Sequence, residues 1–168
     1  MTLESFNTQE PQAASEAMAR CCTATRWVNS LVEGRPYPSV EDIISRAETV
    51  WAAMAETDWL EAFEGHPKIG DPDSLREKYR ATLSTASSEQ SAVHQADSST
   101  LNELARLNQE YLRRFGFIFI TFASGRGADD ILSELKTRIV RSRSEELEFA
   151  AAEQWKITRQ RLQNLLTE

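Results

Sequence analysis

The sequence predicts an all-α fold: a single-domain helical bundle of about six to eight helices with one short buried extended segment. Three observations carry that expectation. Apolar residues recur at helical spacing through most of the chain, and Pro and Gly cluster between those stretches. One continuous apolar run, Phe117 to Ala123, departs from the pattern and reads as a short buried strand or buried extended chain. At 168 residues the chain has the size of one domain with room for a core, so 1–168 is taken as a unit.

The first dozen residues, through Pro11, read as an arm, and residues 1–15 are set apart on that ground. A helical pattern runs from Glu16 to Val32 and stops at Gly34-Arg35-Pro36-Tyr37-Pro38. Ser39 opens the next helix, with Asp42 three residues on in a capping-box arrangement. Its apolar positions are Val40, Ile43, Ile44, Ala47, Val50, Trp51 and Met54, so one face should be buried. Trp51 and Trp59 are expected in the core. Phe63 to Pro72 holds two glycines and two prolines and reads as a structured loop. Ala81 to Ser99 is rich in Ser, Ala, Thr and Gln and is expected to be mobile or only conditionally ordered. Thr100 with Glu103 then restarts a helix that Gly116 ends. Two more helices follow, about Ala128 to Val140 and Glu145 to Leu166.

Composition excludes several classes. Lys and Arg number 19 against 26 Asp and Glu, a net charge of −7, whereas nucleic-acid binders concentrate positive charge. No run of about 20 apolar residues is present, so no membrane span is expected. Neither a signal peptide nor a peroxisomal ending is legible. The cysteines, Cys21 and Cys22, are adjacent and make a poor staple; both are expected as small buried side chains on a helix in a reducing cytoplasm.

Few residues are left to do chemistry. The histidines are His66 and His94. His66 precedes a proline, which pushes its backbone out of helical geometry and presents the ring from a bend. A lone histidine is ordinarily structural or exposed, yet rigid loops also carry function. No HExxH spacing or cysteine cluster points to a metal, and neither a phosphate-binding glycine loop nor a GxSxG elbow appears. In the last helix, with Ile157 at zero and about 100° per residue, Arg161 falls at about 40°, inside an apolar arc, while Arg159 sits on its rim. An arginine there needs an anion: either an internal carboxylate or the carboxylate of a ligand. Glu89 with Gln90 lies in a polar stretch, where a carboxylate is ordinarily solvated.

Together these residues resemble one family, the 2-oxo-4-hydroxy-4-carboxy-5-ureidoimidazoline (OHCU) decarboxylases. The likeness runs from about Trp27 to Leu162. It rests on Arg35-Pro36-Tyr37, on the His-Pro loop Gly65-His66-Pro67-Lys68-Ile69-Gly70, and on Glu89-Gln90. Leu107-Asn108-Gln109-Glu110-Tyr111-Leu112-Arg113-Arg114-Phe115-Gly116-Phe117 and Lys156-Ile157 with Arg161-Leu162 complete the set. The family's serine three residues before the glutamate is Ala86 here; Ser87 or Ser88 stands in if the loop shifts, or a ligand contact is lost.

The resemblance implies a helical enzyme, often a homodimer, without metal or organic cofactor, that converts OHCU to (S)-allantoin and carbon dioxide at the end of urate breakdown. It implies His66, Glu89 and Arg161 as catalytic residues, and substrate contacts from Pro67, Ser87, Glu89, Gln90, Arg161 and the main chain of Phe119, Ile120, Thr121, Phe122 and Ala123. Two other classes stay open at this stage: a non-catalytic helical interaction module that uses the His66 loop for docking, and a ureide hydrolase in which His66 activates water.

Overall fold

The computed structural model describes residues 1–67, Asp73, Leu75, Glu77 and 90–167, with the side chains of 90–97 excepted. Among the described residues it holds eight α-helices and no strand, so the fold is all-α. The chain divides into two compact units, Met1–His66 with Ala151–Glu168, and Pro67–Ala150. The final helix runs through both.

In the first unit, α1 (Leu3–Thr8), α2 (Pro11–Ala19), α3 (Thr25–Glu33), α4 (Val40–Ala52) and α5 (Glu56–Glu64) follow in order. α3 packs against α2, α4 and α5, and buries Trp27, Val28 and Leu31. The indole N–H of Trp27 would be costly to bury bare; it donates to the carbonyl of Ala47 at 3.2 Å. Ser39 caps α4 as its sequence foretold, accepting from the backbone N–H of Asp42 at 3.1 Å and donating its hydroxyl to Asp42 Oδ2 at 2.7 Å.

The expected N-terminal arm is corrected: residues 3–8 and 11–19 are helical and Phe6 is fully buried. The tie comes from Arg35-Pro36-Tyr37. Arg35 donates Nη1 to the carbonyls of Phe6 and Gln9, both at 2.8 Å, and its guanidinium lies over the Phe6 ring. Asn7 and Tyr37 exchange two hydrogen bonds of 2.9 Å between side chain and main chain. The Tyr37 hydroxyl reaches the Leu31 carbonyl, and any Cβ at Gly34 would strike that hydroxyl.

The single helix expected over Glu16–Val32 is two. α2 ends at Ala19 and α3 begins at Thr25. Between them the hydroxyls of Thr23 and Thr25 donate to the carbonyl and carboxylate of Glu61, at 3.1 and 2.5 Å, which a continuous helix would forbid. The two cysteines are buried as expected, but in this turn rather than on a helix.

In the second unit α6 (Gln90–Phe115) packs against α7 (Ala128–Arg138). α6 starts ten residues before the expected Thr100. Its first turns hold Ala and Gln with neither Gly nor Pro, so nothing local breaks the helix, and Thr100 bonds Asp129 instead of capping. Residues 81–89 lie outside the described ones. Gly116 ends α6 with φ of +80°, as anticipated. The run from Phe117 to Ala123 is extended chain without strand pairing; Phe117 and Ile120 are buried and the rest half-buried. The second unit also holds the first turns of α8 (Arg143–Thr167), and Ala151 onward belongs to the first unit.

Candidate active site

α5 ends at Glu64, two residues before its histidine. The backbone N–H groups of Gly65 and His66 still bond to the carbonyls of Ala62 and Phe63, both at 3.2 Å, and Pro67 forbids another turn. Gly65 is needed for a close approach: a Cβ there would collide with the Thr23 side chain, itself anchored on Glu61. The bend is therefore fixed on both sides. His66 is half-buried on it and Pro67 exposed.

From this bend the His66 ring meets α8. Its Nε2 lies 2.5 Å from Oε1 of Gln154. A carbonyl oxygen only accepts, so the imidazole donates. Gln154 is 1% exposed, and its amide N–H₂ donates to the hydroxyl of Thr158, 0% exposed, at 3.0 Å. The Thr158 hydroxyl in turn acts on the Cys22 thiol, opposing the rise of its pKa. A string of polar groups thus runs from the loop into the core.

Arg161 needs a correction. The expected apolar setting is not there: its side chain is exposed, and Nη1 donates to the carbonyl of Cys21 at 3.4 Å. The buried positions of α8 are Glu146, Leu147, Ala150, Ala151, Glu153 and Gln154, then Thr158, Leu162 and Leu166. That face drifts around the helix toward Leu162 and Leu166, leaving Arg161 outside it. Among the described residues Arg161 pairs with no carboxylate, so an internal salt bridge is not its role there.

Both thiols are pushed up to about 11 by burial, against the partial relief of the Arg161 charge and, for Cys22, of the Ala24 N–H and the Thr158 hydroxyl. A shift from 9.0 to about 11 leaves about 100-fold less thiolate at pH 8. Dithionitrobenzoate should accordingly modify the native thiols about 100-fold more slowly than the denatured ones; equal rates would contradict their burial. Because the folded values are raised, the thiol contribution to stability is intact below pH 9 and is lost as pH rises from about 9 through about 11.

Ser87, Ser88 and Glu89 lie outside the described residues, as do Lys68, Ile69 and Gly70 of the His-Pro loop. Gln90 is the first residue of α6, but its side chain and that of His94 are likewise outside them. Among the described residues no group of three or more His, Cys, Asp or Glu is arranged to hold a metal ion, and no helix is long and apolar enough to cross a membrane.

In the second unit the extended segment is held by a buried arginine. Arg138 Nη1 donates to the carbonyl of Ile120 at 2.7 Å and to Glu134 at 2.9 Å, and Nε donates to Glu146 at 2.9 Å. Its guanidinium lies between the rings of Phe119 and Phe149, 4.4 and 4.5 Å from their centroids. Thr121 donates to the Glu134 carboxylate, whose far side is bound by Arg126.

The family model for OHCU decarboxylase matches residues 7–163, nearly the whole chain. The chain belongs to the OHCU decarboxylase family. It is similar to the uric acid degradation bifunctional protein TTL of Arabidopsis thaliana, with 36% identity over 88% of this chain and 46% of that protein. It is also similar to the 2-oxo-4-hydroxy-4-carboxy-5-ureidoimidazoline decarboxylase of Haloferax volcanii, at 25% identity over 96% of this chain and 94% of the relative. The bifunctional relatives are longer: the chain spans 46% of the Arabidopsis protein and 33% of the Bacillus subtilis protein PucL. Among solved structures, an OHCU decarboxylase crystallised in the presence of (S)-allantoin superposes with a TM-score of 0.73 at 34% identity, covering 95% of this chain and 100% of that one.

The OHCU decarboxylase family likeness pointed to His66, but Gln154, Thr158 and Arg138 went unmarked. Gln154 and Thr158 are four residues apart and share the arc with Ala151 and Leu162. A polar pair inside an apolar arc was the signal that could have found them. Half-buried Glu134 and buried Arg138, also four apart, carry a similar signal on α7.

Proposed function

We propose that this chain decarboxylates OHCU to (S)-allantoin and carbon dioxide, the last step from urate, without a cofactor. The observation that carries the reading is the seat of His66: a half-buried imidazole on a fixed bend, bonded at 2.5 Å to a buried amide of α8. The solved relative crystallised with (S)-allantoin supports the choice of product.

Breaking the bond to the carboxylate leaves an electron pair on the ring carbon, which the neighbouring ring C=N can accept, so no borrowed electron sink is required. The protein must orient the substrate, face the developing charge with donors and move one proton on one face. Histidine has an ordinary pKa of about 6.5, so both forms are available near neutrality. His66 takes the proton of the substrate hydroxyl or delivers one to carbon. On the resemblance, Glu89 holds ureido or ring N–H groups, with Pro67, Ser87, Gln90 and the main chain of 119–123 as further contacts. A homodimer and a cytoplasmic setting are proposed on the same ground.

The test generates OHCU in situ from urate and follows optical rotation. Faster formation of dextrorotatory allantoin is the expected result. An unchanged, racemic decay would leave a non-catalytic module, and other products a hydrolase.

Arg161 is proposed to fork an anionic group of the substrate. Because its side chain is exposed and outside the core, Arg161→Ala should raise KM about tenfold or more while changing stability by no more than about 0.5 kcal/mol. A collapse of the melting temperature with KM unchanged would assign Arg161 to the fold.

A further inference from the structure

We infer that Gln154, braced by Thr158, is the positioning residue of His66, a buried amide that holds the imidazole by Nε2 and keeps a proton on that nitrogen. This rests on the reading of His66 as the proton-transfer group and adds a residue to it.

Packing alone does not account for a glutamine here. At 1% exposure an amide costs stability unless both its ends are bonded, and an apolar side chain would fill the space without that demand. Both ends are bonded: Oε1 to His66 at 2.5 Å, and Nε2 to Thr158 Oγ1 at 3.0 Å. The amide is placed with its N–H₂ on the hydroxyl of Thr158, which accepts from it. With the N–H₂ turned to Thr158, the face toward His66 is the carbonyl, which accepts only. Nε2 therefore carries a proton in either charge state, and the neutral ring keeps its lone pair on Nδ1.

Placing both residues on one helix, four positions apart, supports a ring on a loop from a rigid element. An amide also suits the task better than a carboxylate. It orients the ring without holding it as imidazolium. Of the charged groups around this cluster, Glu61 of α5 is bonded to Thr25 and Arg161 of α8 to the Cys21 carbonyl; both act on the Cys22 thiol. The substitutions below leave both in place.

His66 is one of two histidines, so its ring protons can be followed by NMR against His94, assigned with His94→Gln. Gln154→Glu is expected to raise the His66 pKa by about one unit or more. The limb of the kcat/KM profile set by His66 should move by the same amount. Gln154→Leu is expected to lower kcat about tenfold or more with KM within about twofold. Thr158→Val removes the brace and keeps the shape, and should reproduce the kcat loss if Gln154→Leu does not fold. An unmoved His66 titration in Gln154→Glu, or full kcat in both Gln154→Leu and Thr158→Val, would overturn the inference. An active His66→Asn protein would overturn the catalytic reading alone; the titration, recorded without substrate, still decides whether Gln154 governs the ring.

Discussion

His66→Asn is expected to lower kcat by about 10²- to 10⁴-fold, the range that general acid–base catalysis contributes. Asparagine preserves much of the shape and one polar end, yet it cannot take up or release a proton near neutrality. The loss should therefore fall on kcat, and the substrate should still bind. The fold should survive. His66 is only half-buried and sits past the end of α5, whose capping bonds at this end come from the backbone. The hydrogen bond to Gln154 is lost, worth about 1 kcal/mol, and its carbonyl is left less satisfied. Circular dichroism should show an unchanged helical spectrum alongside the failed optical-rotation assay. Wild-type turnover in His66→Asn would remove this side chain from the mechanism.

Legibility in the sequence followed how local the cause was. Ser39 and Gly116 were legible because a capping hydroxyl and a left-handed glycine act within a few residues of themselves. Trp51 was legible from apolar spacing, and its indole N–H finds the Ala151 carbonyl at 3.1 Å. The first helix was not legible, because what binds it lies about 30 residues away, in Arg35 and Tyr37. Polar residues hold that segment, and polarity near a terminus reads as an arm. Arg161 was misplaced for a different reason. A helical wheel assigns one buried face to a whole helix, whereas the face that α8 buries drifts along its 25 residues. The same reading ranks residues by hydrophobicity, so it passed over Gln154 and Thr158, which are buried because their polar groups are satisfied by partners from elsewhere in the chain.

The largest stability effect is expected from the buried arginine of the second unit. Arg138 is 1% exposed and Glu146 0% exposed, with Nε to Oε2 at 2.9 Å, and Tyr111 donates its hydroxyl to the same carboxylate oxygen at 2.5 Å. Burial and the carboxylate beside it push the Tyr111 phenol well above its ordinary range, so it stays a donor. Among the described residues Arg138 Nη2 and Glu146 Oε1 have no hydrogen-bond partner, so the pair is already stretched in its polar accounting. Removing Arg138 leaves the buried Glu146 carboxylate to the Tyr111 hydroxyl and to Arg141, 3.8 Å away. Arg138→Met should therefore cost about 3–5 kcal/mol and lower the melting temperature by about 10 °C, at about 2–4 °C per kcal/mol for a chain of this size. Glu146→Leu should cost less, because Arg138 keeps its bond to Glu134 at 2.9 Å. The double substitution should cost clearly less than the sum, because two apolar side chains leave no charge behind. That non-additivity separates a buried pair from two independent packing residues; additive losses would refute the pairing. Arg138→Met also frees the Ile120 carbonyl, which Nη1 now holds at 2.7 Å. If the main chain of 119–123 contacts the substrate as proposed, the folded fraction of Arg138→Met should show a raised KM, measured below its melting point. Glu134 bears on the acid side of the same network. Burial alone would raise its carboxyl pKa, but Arg138, Arg126 and Thr121 together hold it below 4.5. Its contribution is present above the ordinary carboxylate pKa and is lost as pH falls through the depressed one, so wild type should lose stability on acidification below about pH 4.5. In Arg138→Met part of that acid sensitivity should be gone, since the guanidinium that depresses Glu134 is no longer there.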